Sequence, residues 1–180
     1  MMFNNESSFF RETARAVAAA LARHDTAHLV AGSLAVQEYG YPGVTLDVDF
    51  IVPDVLKAAE FATTDSAGRF ERDTKVEHQL QDKRYGVIIN LLTEGKVLKN
   101  GCKVPFPAPA VVSDQLQFVT LEQLISLKLD SWANSPVLRL TDKTHVVELI
   151  IRRKLSRDLA VQQAVRDIYR ETWDALQAEK

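Results

Sequence analysis

Two aspartates, Asp47 and Asp49, stand two residues apart in an otherwise apolar segment. If residues 46–52 form a strand, both side chains point to one face, roughly 6.5–7 Å apart along it. The opposite, apolar face is then predicted to consist of Leu46, Val48, Phe50 and Val52. Two ionised carboxylates this close repel each other unless a cation lies between them or one takes a proton. Mg²⁺ suits such a pair, because it commonly takes one or two carboxylates together with phosphate oxygens. The alternative is the solvent-facing side of an edge strand.

Gly32 and Ser33 precede the aspartates, at the point where a predicted strand passes into a predicted helix. A glycine at such a junction lets the backbone approach a ligand closely, and free N–H groups at a helix start attract phosphate. The hydroxyl of Ser33 is a further polar group. A Gly-Ser pair alone is often only a turn. The order of strand, Gly-Ser, short helix, chain break and aspartate-bearing strand instead indicates a site for a metal-bound phosphate compound.

The elements that must position these residues are predicted from hydrophobic periodicity and capping signals. Strands are predicted at 28–31, 46–52, 76–80 and 85–92, with a polar turn at 81–84. Helices are predicted from Ser7 or Ser8 to about 24, at 34–39, at 54–62, at 121–132, after a cap at Thr141 or Asp142, and from Ser156 to about 176. Residues 100–114 are predicted to form an irregular loop. This order predicts an α/β or α+β core followed by helices.

Composition limits the function classes. The chain has 180 residues, of which 46% are hydrophobic and 26% charged, and its formal net charge is −2. These values are typical of a folded globular protein and give no excess of cations for binding a nucleic-acid backbone. The single cysteine, Cys102, excludes an internal disulfide and a cysteine zinc cage, and it favours a reducing compartment. The sequence has neither an apolar run long enough to cross a bilayer nor signal-peptide features, so we expect a cytoplasmic protein without membrane contact.

The stretch from Leu29 to Val52 resembles the signature of the nucleotidyltransferase superfamily, in which a Gly-Gly or Gly-Ser pair precedes an Asp-x-Asp. It is most similar to small bacterial proteins of the AbiEii and minimal-nucleotidyltransferase type. The segment 124–129 is similar to the helix that such proteins carry after the core. The resemblance implies a nucleotidyltransferase-like fold, a small mixed sheet flanked by helices. We therefore predict one domain over 1–180, with a nucleotidyltransferase-like core at 26–95 and a helical C-terminal part at 115–180.

The resemblance also implies roles for individual residues. Asp47 and Asp49 would hold Mg²⁺, and Gly32 and Ser33 would hold the outer phosphates of a nucleoside triphosphate. A hydroxyl of an acceptor (a small molecule, an RNA end or a protein) would attack the α-phosphorus and release pyrophosphate. Lys128 is predicted either to contact a phosphate or to be a surface lysine whose stem covers apolar neighbours.

One position departs from the superfamily pattern. Relatives usually carry a third carboxylate on a later strand, facing the first two, and the matching position is Asn90. An amide is neutral, a poorer metal ligand and no general base. Glu94 and Glu77 are the nearby carboxylates that can be considered as substitutes.

Three hypotheses follow from these observations. The chain is a Mg²⁺-dependent nucleotidyltransferase, or it is a catalytically degenerate relative that binds nucleotide or a partner protein. Relatives of the second kind act in toxin–antitoxin or phage-defence pairs, so the resemblance implies a cognate toxin or antitoxin as partner. The third hypothesis is an unrelated α+β protein with chance motifs, in which Asp47 and Asp49 do not share a cleft with Gly32 and Ser33.

Overall fold

The computed structural model describes residues 3–179, with side chains from Phe9 onward. Its helices are α1 (Phe3–Ala22), α2 (Gly32–Glu38), α3 (Val55–Thr64), α4 (Leu121–Asn134), α5 (Leu140–Arg153) and α6 (Arg166–Ala178). Its strands are β1 (Leu29–Val30), β2 (Asp47–Val52), β3 (Phe70–Arg72), β4 (Gln79–Asp82) and β5 (Val87–Thr93). A short 3₁₀ turn, Gln163–Val165, precedes α6. No helix in the described part of the chain is both long enough and apolar enough to cross a membrane.

The five strands form one mixed sheet in the order β1-β2-β5-β4-β3. Strands β2 and β5 are parallel, and the other neighbours are antiparallel. Because β2 lies between β1 and β5, it is not the edge strand that would place both aspartates in open solvent. The parallel register sets Asp49 opposite Asn90, and the antiparallel register sets Gln79 opposite Asn90 on the other side.

The two faces of β2 pack against different helices, which follows from its period-two pattern. Val48, Phe50 and Val52 are buried in a cluster that includes residues of α1 and α3. Ile51 faces the other way and is buried with residues of α4, α5 and α6. The two aspartates share the face of Ile51, so they lie on the side of the sheet that the C-terminal helices cover. Leu46 is a correction to the predicted apolar face, because it precedes the strand and is 81% exposed.

Strand β1 is held on its far side by a segment from much later in the chain. The N–H of Val30 donates to the carbonyl oxygen of Gln117 at 2.6 Å, and its carbonyl accepts from the N–H of Val119 at 3.1 Å. The hydroxyl of Tyr39, directly after α2, donates to the carbonyl of Val119 at 2.7 Å. Residues 117–119 therefore satisfy the backbone hydrogen bonds of β1 on the side away from β2.

Helix α4 confirms the prediction for 121–132, and Thr120 caps it. The Thr120 hydroxyl accepts from the N–H of Gln123, and the Gln123 side chain accepts from the N–H of Thr120, which is a capping box. The predicted helix at 54–62 is found as α3, which Asp54 caps with hydrogen bonds from Leu56 and Lys57.

The predicted starts of α1, α5 and α6 are wrong. Helix α1 begins at Phe3, before Ser7 and Ser8, since nothing in Phe3–Glu6 interrupts a helix. Helix α5 begins after Arg139, and the Asp142 carboxylate, which was predicted as a cap, instead accepts from two side chains of α4. Ser156 accepts from the N–H of Asp158 in an irregular connection, and α6 begins only at Arg166.

The strand predicted at 76–80 is displaced, and a short one was missed. Strand β4 includes Gln81 and Asp82, which were assigned to a turn. Asp82 is fully buried because its carboxylate accepts from Thr13 of α1 at 2.6 Å and from Arg69 at 2.7 Å. Strand β3 has only three residues, two of them exposed, so it carries little periodic signal.

Candidate active site

All six predicted site residues line one cleft of about 340 Å³ between the sheet and helix α4. They are Gly32, Ser33, Asp47, Asp49, Asn90 and Lys128. This arrangement is the opposite of what the hypothesis of chance motifs requires. The cleft has a polar wall formed by these residues with His78, Ser131, Arg139 and Asp142, and an apolar wall formed by Leu92, Leu98, Phe106, Leu124 and Leu127.

Asn90 joins the two aspartates. Its Nδ2 donates to Oδ2 of Asp47 at 3.0 Å and to Oδ1 of Asp49 at 2.9 Å. Its Oδ1 accepts from Nε2 of Gln79 at 2.9 Å. The parallel register of β2 and β5 makes this possible, because it sets the amide beside the pair of carboxylates. In the described chain neither Glu77 nor Glu94 lines the cleft, so the position of the third carboxylate is filled by the amide.

The environment of Asp49 disfavours its ionised form. Burial and the nearby carboxylate of Asp47 raise the pKa of Asp49 to about 6, although the hydrogen bond from Asn90 and the charge of Lys128 act in the opposite direction. A group that is difficult to ionise because of burial and a like charge gains most from a cation. The pair is therefore arranged to bind positive charge at neutral pH.

Gly32 lies directly against Asp49. Its φ is +63°, and a Cβ added to it would overlap the Asp49 carboxylate. The N–H of Ala31 donates to the Asp49 carbonyl at 2.9 Å. Helix α2 begins at Gly32 rather than at the predicted 34, so Ser33 belongs to its first turn. The turn is thus packed directly against the aspartate strand, and a side chain at position 32 would have to displace the Asp49 carboxylate.

Lys128 is buried, so the prediction that it is a surface lysine is wrong. It is 7% exposed, and its Nζ donates to Oδ1 of Asp142 at 2.8 Å. The hydroxyl of Ser131 donates to the other oxygen of Asp142 at 2.8 Å. Burial alone would raise the pKa of Asp142, but Lys128 and Ser131 hold it below its usual value. The pair is an ion pair inside the cleft wall, and the lysine charge is close enough to stabilise ionised Asp49.

Four polar residues of the cleft were not among the predicted site residues: His78, Ser131, Arg139 and Asp142. Arg139 comes from an exposed segment without periodicity, and His78, which was assigned to the strand predicted at 76–80, lies in the exposed turn before β4. Asp142 was predicted as one of two possible helix caps, but its contact with Lys128 depends on how α4 and α5 pack. His145, one turn after Asp142, is buried, and burial and the charge of Lys128 lower its pKa to about 4.

The donor set fits a hard cation that completes its coordination elsewhere. No group of three or more His, Cys, Asp or Glu side chains in the described residues is placed to hold a metal ion. Two carboxylates nevertheless suffice for Mg²⁺, which keeps several waters and is commonly completed by substrate phosphates. Asp47 and Asp49 are the residues that would hold it.

The fold is similar to that in the solution structure of the antibiotic-resistance factor ANT(2'')-Ia, an aminoglycoside nucleotidyltransferase. The TM-score is 0.59 and the sequence identity 10%, over 96% of this chain and 97% of that chain. The prediction of a mixed α+β, nucleotidyltransferase-like fold is thereby confirmed. That neighbour is not an AbiEii-type protein, so the narrower resemblance stays a prediction, as does the division into 26–95 and 115–180. The sequence matches no protein-family profile and no curated protein.

Proposed function

We propose that this protein transfers a nucleotidyl group from a nucleoside triphosphate to a hydroxyl of an acceptor, with Mg²⁺ as cofactor. The observation that carries the proposal is the convergence of Gly32, Ser33, Asp47 and Asp49 in one cleft of a nucleotidyltransferase-like fold. Transfer forms a bond between the acceptor oxygen and the α-phosphorus and breaks the bond from that phosphorus to the pyrophosphate leaving group. Such chemistry needs mainly positioning and electrostatic stabilisation.

The cleft residues have distinct roles in this proposal. Asp47 and Asp49 hold Mg²⁺, which when bound supplies positive charge that neutralises the phosphate oxygens. The Ser33 hydroxyl and the backbone at Gly32 hold the outer phosphates, and the missing side chain at position 32 leaves room for the Asp49 carboxylate beside them. Lys128 and Arg139 are the cations of the cleft lining. Lys128 is already paired with Asp142. Its positive charge acts on the cleft in any case, but it contacts a phosphate only if that ion pair loosens.

The acceptor is a hydroxyl on a small molecule, an RNA end or a protein. The structural neighbour is an antibiotic-resistance factor, which favours a small molecule as the acceptor. The apolar wall of the cleft offers it or the nucleotide base a surface to pack against.

A second function is favoured by Asn90, which lacks the charge and basicity of the usual third carboxylate. In this case the protein binds nucleotide or a partner without transfer. The proposal of a cognate toxin or antitoxin as partner rests on the AbiEii-type resemblance of residues 29–52. The proposal of a cytoplasmic location rests on the lone Cys102.

The test is release of pyrophosphate and labelled product from each of the four ribonucleoside triphosphates, with Mg²⁺ or Mn²⁺ and panels of hydroxylated acceptors. Asp47→Asn is expected to reduce turnover by about a hundredfold or more, since it removes half of the carboxylate pair. Asp114→Asn, on an exposed loop, is the matched control and is expected to keep full activity. Nucleotide binding is measured in parallel. Binding without pyrophosphate from any combination would support the binding module and contradict the enzyme.

A further inference from the structure

The side chain of Asn90 is hydrogen-bonded on both sides by neighbouring strands. Both Nδ2 hydrogens are used, one toward Asp47 and one toward Asp49. Its Oδ1 accepts from Gln79, which is its register partner on β4. Three strands thus contribute one continuous polar chain, from the carboxylates through one amide to a second amide. No step of the proposed transfer uses Gln79.

This arrangement presents hydrogen atoms, the positive end of the amide, to the two carboxylates. Those hydrogens partly neutralise the pair but would repel a cation bound to it. A half turn of the Asn90 amide about its Cβ–Cγ bond exchanges nitrogen and oxygen. It would then present Oδ1, and amide oxygens are accepted ligands of hard cations.

The half turn does not break the hydrogen bond to β4. After rotation, Nδ2 of Asn90 needs an acceptor, and Gln79 supplies Oε1 by turning its own amide in the same way. A glutamine can do this because it carries one acceptor and two donors at its end. The hydrogen bond between Asn90 and Gln79 is therefore kept in both arrangements, whereas a residue at position 79 with only donors or only acceptors would allow one of them.

We propose that Gln79 and Asn90 form a paired amide switch that lets a neutral residue serve as the third oxygen ligand. The amide nitrogen faces Asp47 and Asp49 when no cation is bound, and Oδ1 faces them when the cation enters. Asn90 is then a metal ligand, and Gln79 is a positioning residue that acts through it. The proposal rests on the metal dependence of the proposed function, and it accounts for the absence of a carboxylate at position 90.

The test measures Mg²⁺ binding by the full-length protein without nucleotide, by calorimetry and by the side-chain NH₂ signals in ¹⁵N–¹H spectra. The Asn90 and Gln79 signals are assigned by their loss in Asn90→Leu and Gln79→Met. Both signals are expected to shift together and saturate at the Mg²⁺ concentration that saturates the calorimetric binding. Backbone amide spectra establish that each variant is folded.

The variants give an ordered series of affinities. Asn90→Leu is expected to bind Mg²⁺ about tenfold more weakly than wild type, and Asn90→Asp more tightly than wild type. Gln79→Glu has only acceptors, so it holds the oxygen of Asn90 toward the aspartates and is expected to raise the affinity about tenfold. Gln81→Glu is the control for the added charge. It lies on the same face of β4, two residues further along and opposite Ile88, and it is expected to change the affinity much less.

Two results would overturn the switch while leaving nucleotidyl transfer intact. The first is Mg²⁺ binding by Asn90→Leu that is as tight as binding by wild type. If Asn90 is a ligand, its removal must weaken binding, whereas removal of an amide that only repels the cation would not. The second is saturation with Mg²⁺ while the Asn90 and Gln79 signals stay in place. If neither wild type nor Asn90→Asp binds Mg²⁺, with nucleotide or without it, both the switch and the metal-dependent function are wrong.

Discussion

Replacing Gly32 by alanine adds one methyl group at a position where two separate costs meet. The backbone there has φ of +63°, a left-handed conformation that costs an L-residue with a Cβ about 1–2 kcal/mol. The methyl group would also overlap the Asp49 carboxylate, and forcing extra atoms into a packed site costs roughly 1–3 kcal/mol. We expect Gly32→Ala to lower the free energy of unfolding by about 2–5 kcal/mol, the sum of these two ranges.

A second glycine separates the two costs. Gly86 has φ of +69°, but a Cβ there would meet nothing within 4 Å. Gly86→Ala should therefore lose only the backbone part, about 1–2 kcal/mol. Urea denaturation of both variants gives the difference, which measures the contact with Asp49. In an Asp49→Ala background the penalty of Gly32→Ala should fall to that of Gly86→Ala.

Equal destabilisation by Gly32→Ala and Gly86→Ala in the wild-type background would refute the argument. It would mean that the aspartate can move away freely. In that case the contact with Gly32 would not fix the position of the Asp49 carboxylate.

Two further outcomes are expected. Asp82→Asn should lower the free energy of unfolding by about 1.5–3 kcal/mol, because it weakens the charge-assisted hydrogen bonds of Arg69 to a buried carboxylate and leaves its guanidinium the longer contact to Glu12, at 3.8 Å. Asp65 is the control, because it is 27% exposed and pairs with the exposed Arg23, so Asp65→Asn should have a much smaller effect in the same urea titration. Because the pKa of Asp49 is raised to about 6 in the folded state, the native state binds its proton more tightly than the unfolded chain, and the stability from this group falls as pH rises from about 4 to 6. The difference in unfolding free energy between wild type and Asp49→Asn should shift in that direction between pH 4.5 and pH 7, and a constant difference would contradict the assignment.

The site residues on β2 and at the start of α2 could be predicted because their positions depend on neighbouring residues in the sequence. The alternation from Asp47 to Val52 fixes which side chains share a face, and the strand-to-helix junction at Gly32 is set by its neighbours. The position of Asn90 was also predicted, because the resemblance to the superfamily implies a third ligand position on the later strand, predicted at 85–92. Its contacts were not predictable, since they depend on the register of β5 against both β2 and β4.

The other misses have the same origin in distant partners. Lys128 and Asp142 are 14 residues apart in different helices, so only the packing of α4 on α5 reveals that they are paired. Asp82 has the residue type of a turn, but Thr13, which is 69 residues earlier, gives it a buried partner. Arg139 lies in a segment without periodicity, where sequence alone gives no direction for a side chain. The displaced boundary of β4 put His78 in a strand instead of in the turn before it.

The bonds between β1 and residues 117–119 bear on how the chain folds while it is being made. Val30 leaves the ribosome long before Gln117 and Val119, its hydrogen-bonding partners on that side. At 5–20 residues per second, the intervening stretch of about 90 residues takes roughly 4–18 s to synthesise. During that interval β1, which leads into Gly32, lacks its hydrogen-bonding partners on one side. The apolar face of α2 also lacks the residues of α4 against which it packs. The candidate site is therefore among the last parts of the protein to become ordered during translation, although two of its residues are among the first to be made.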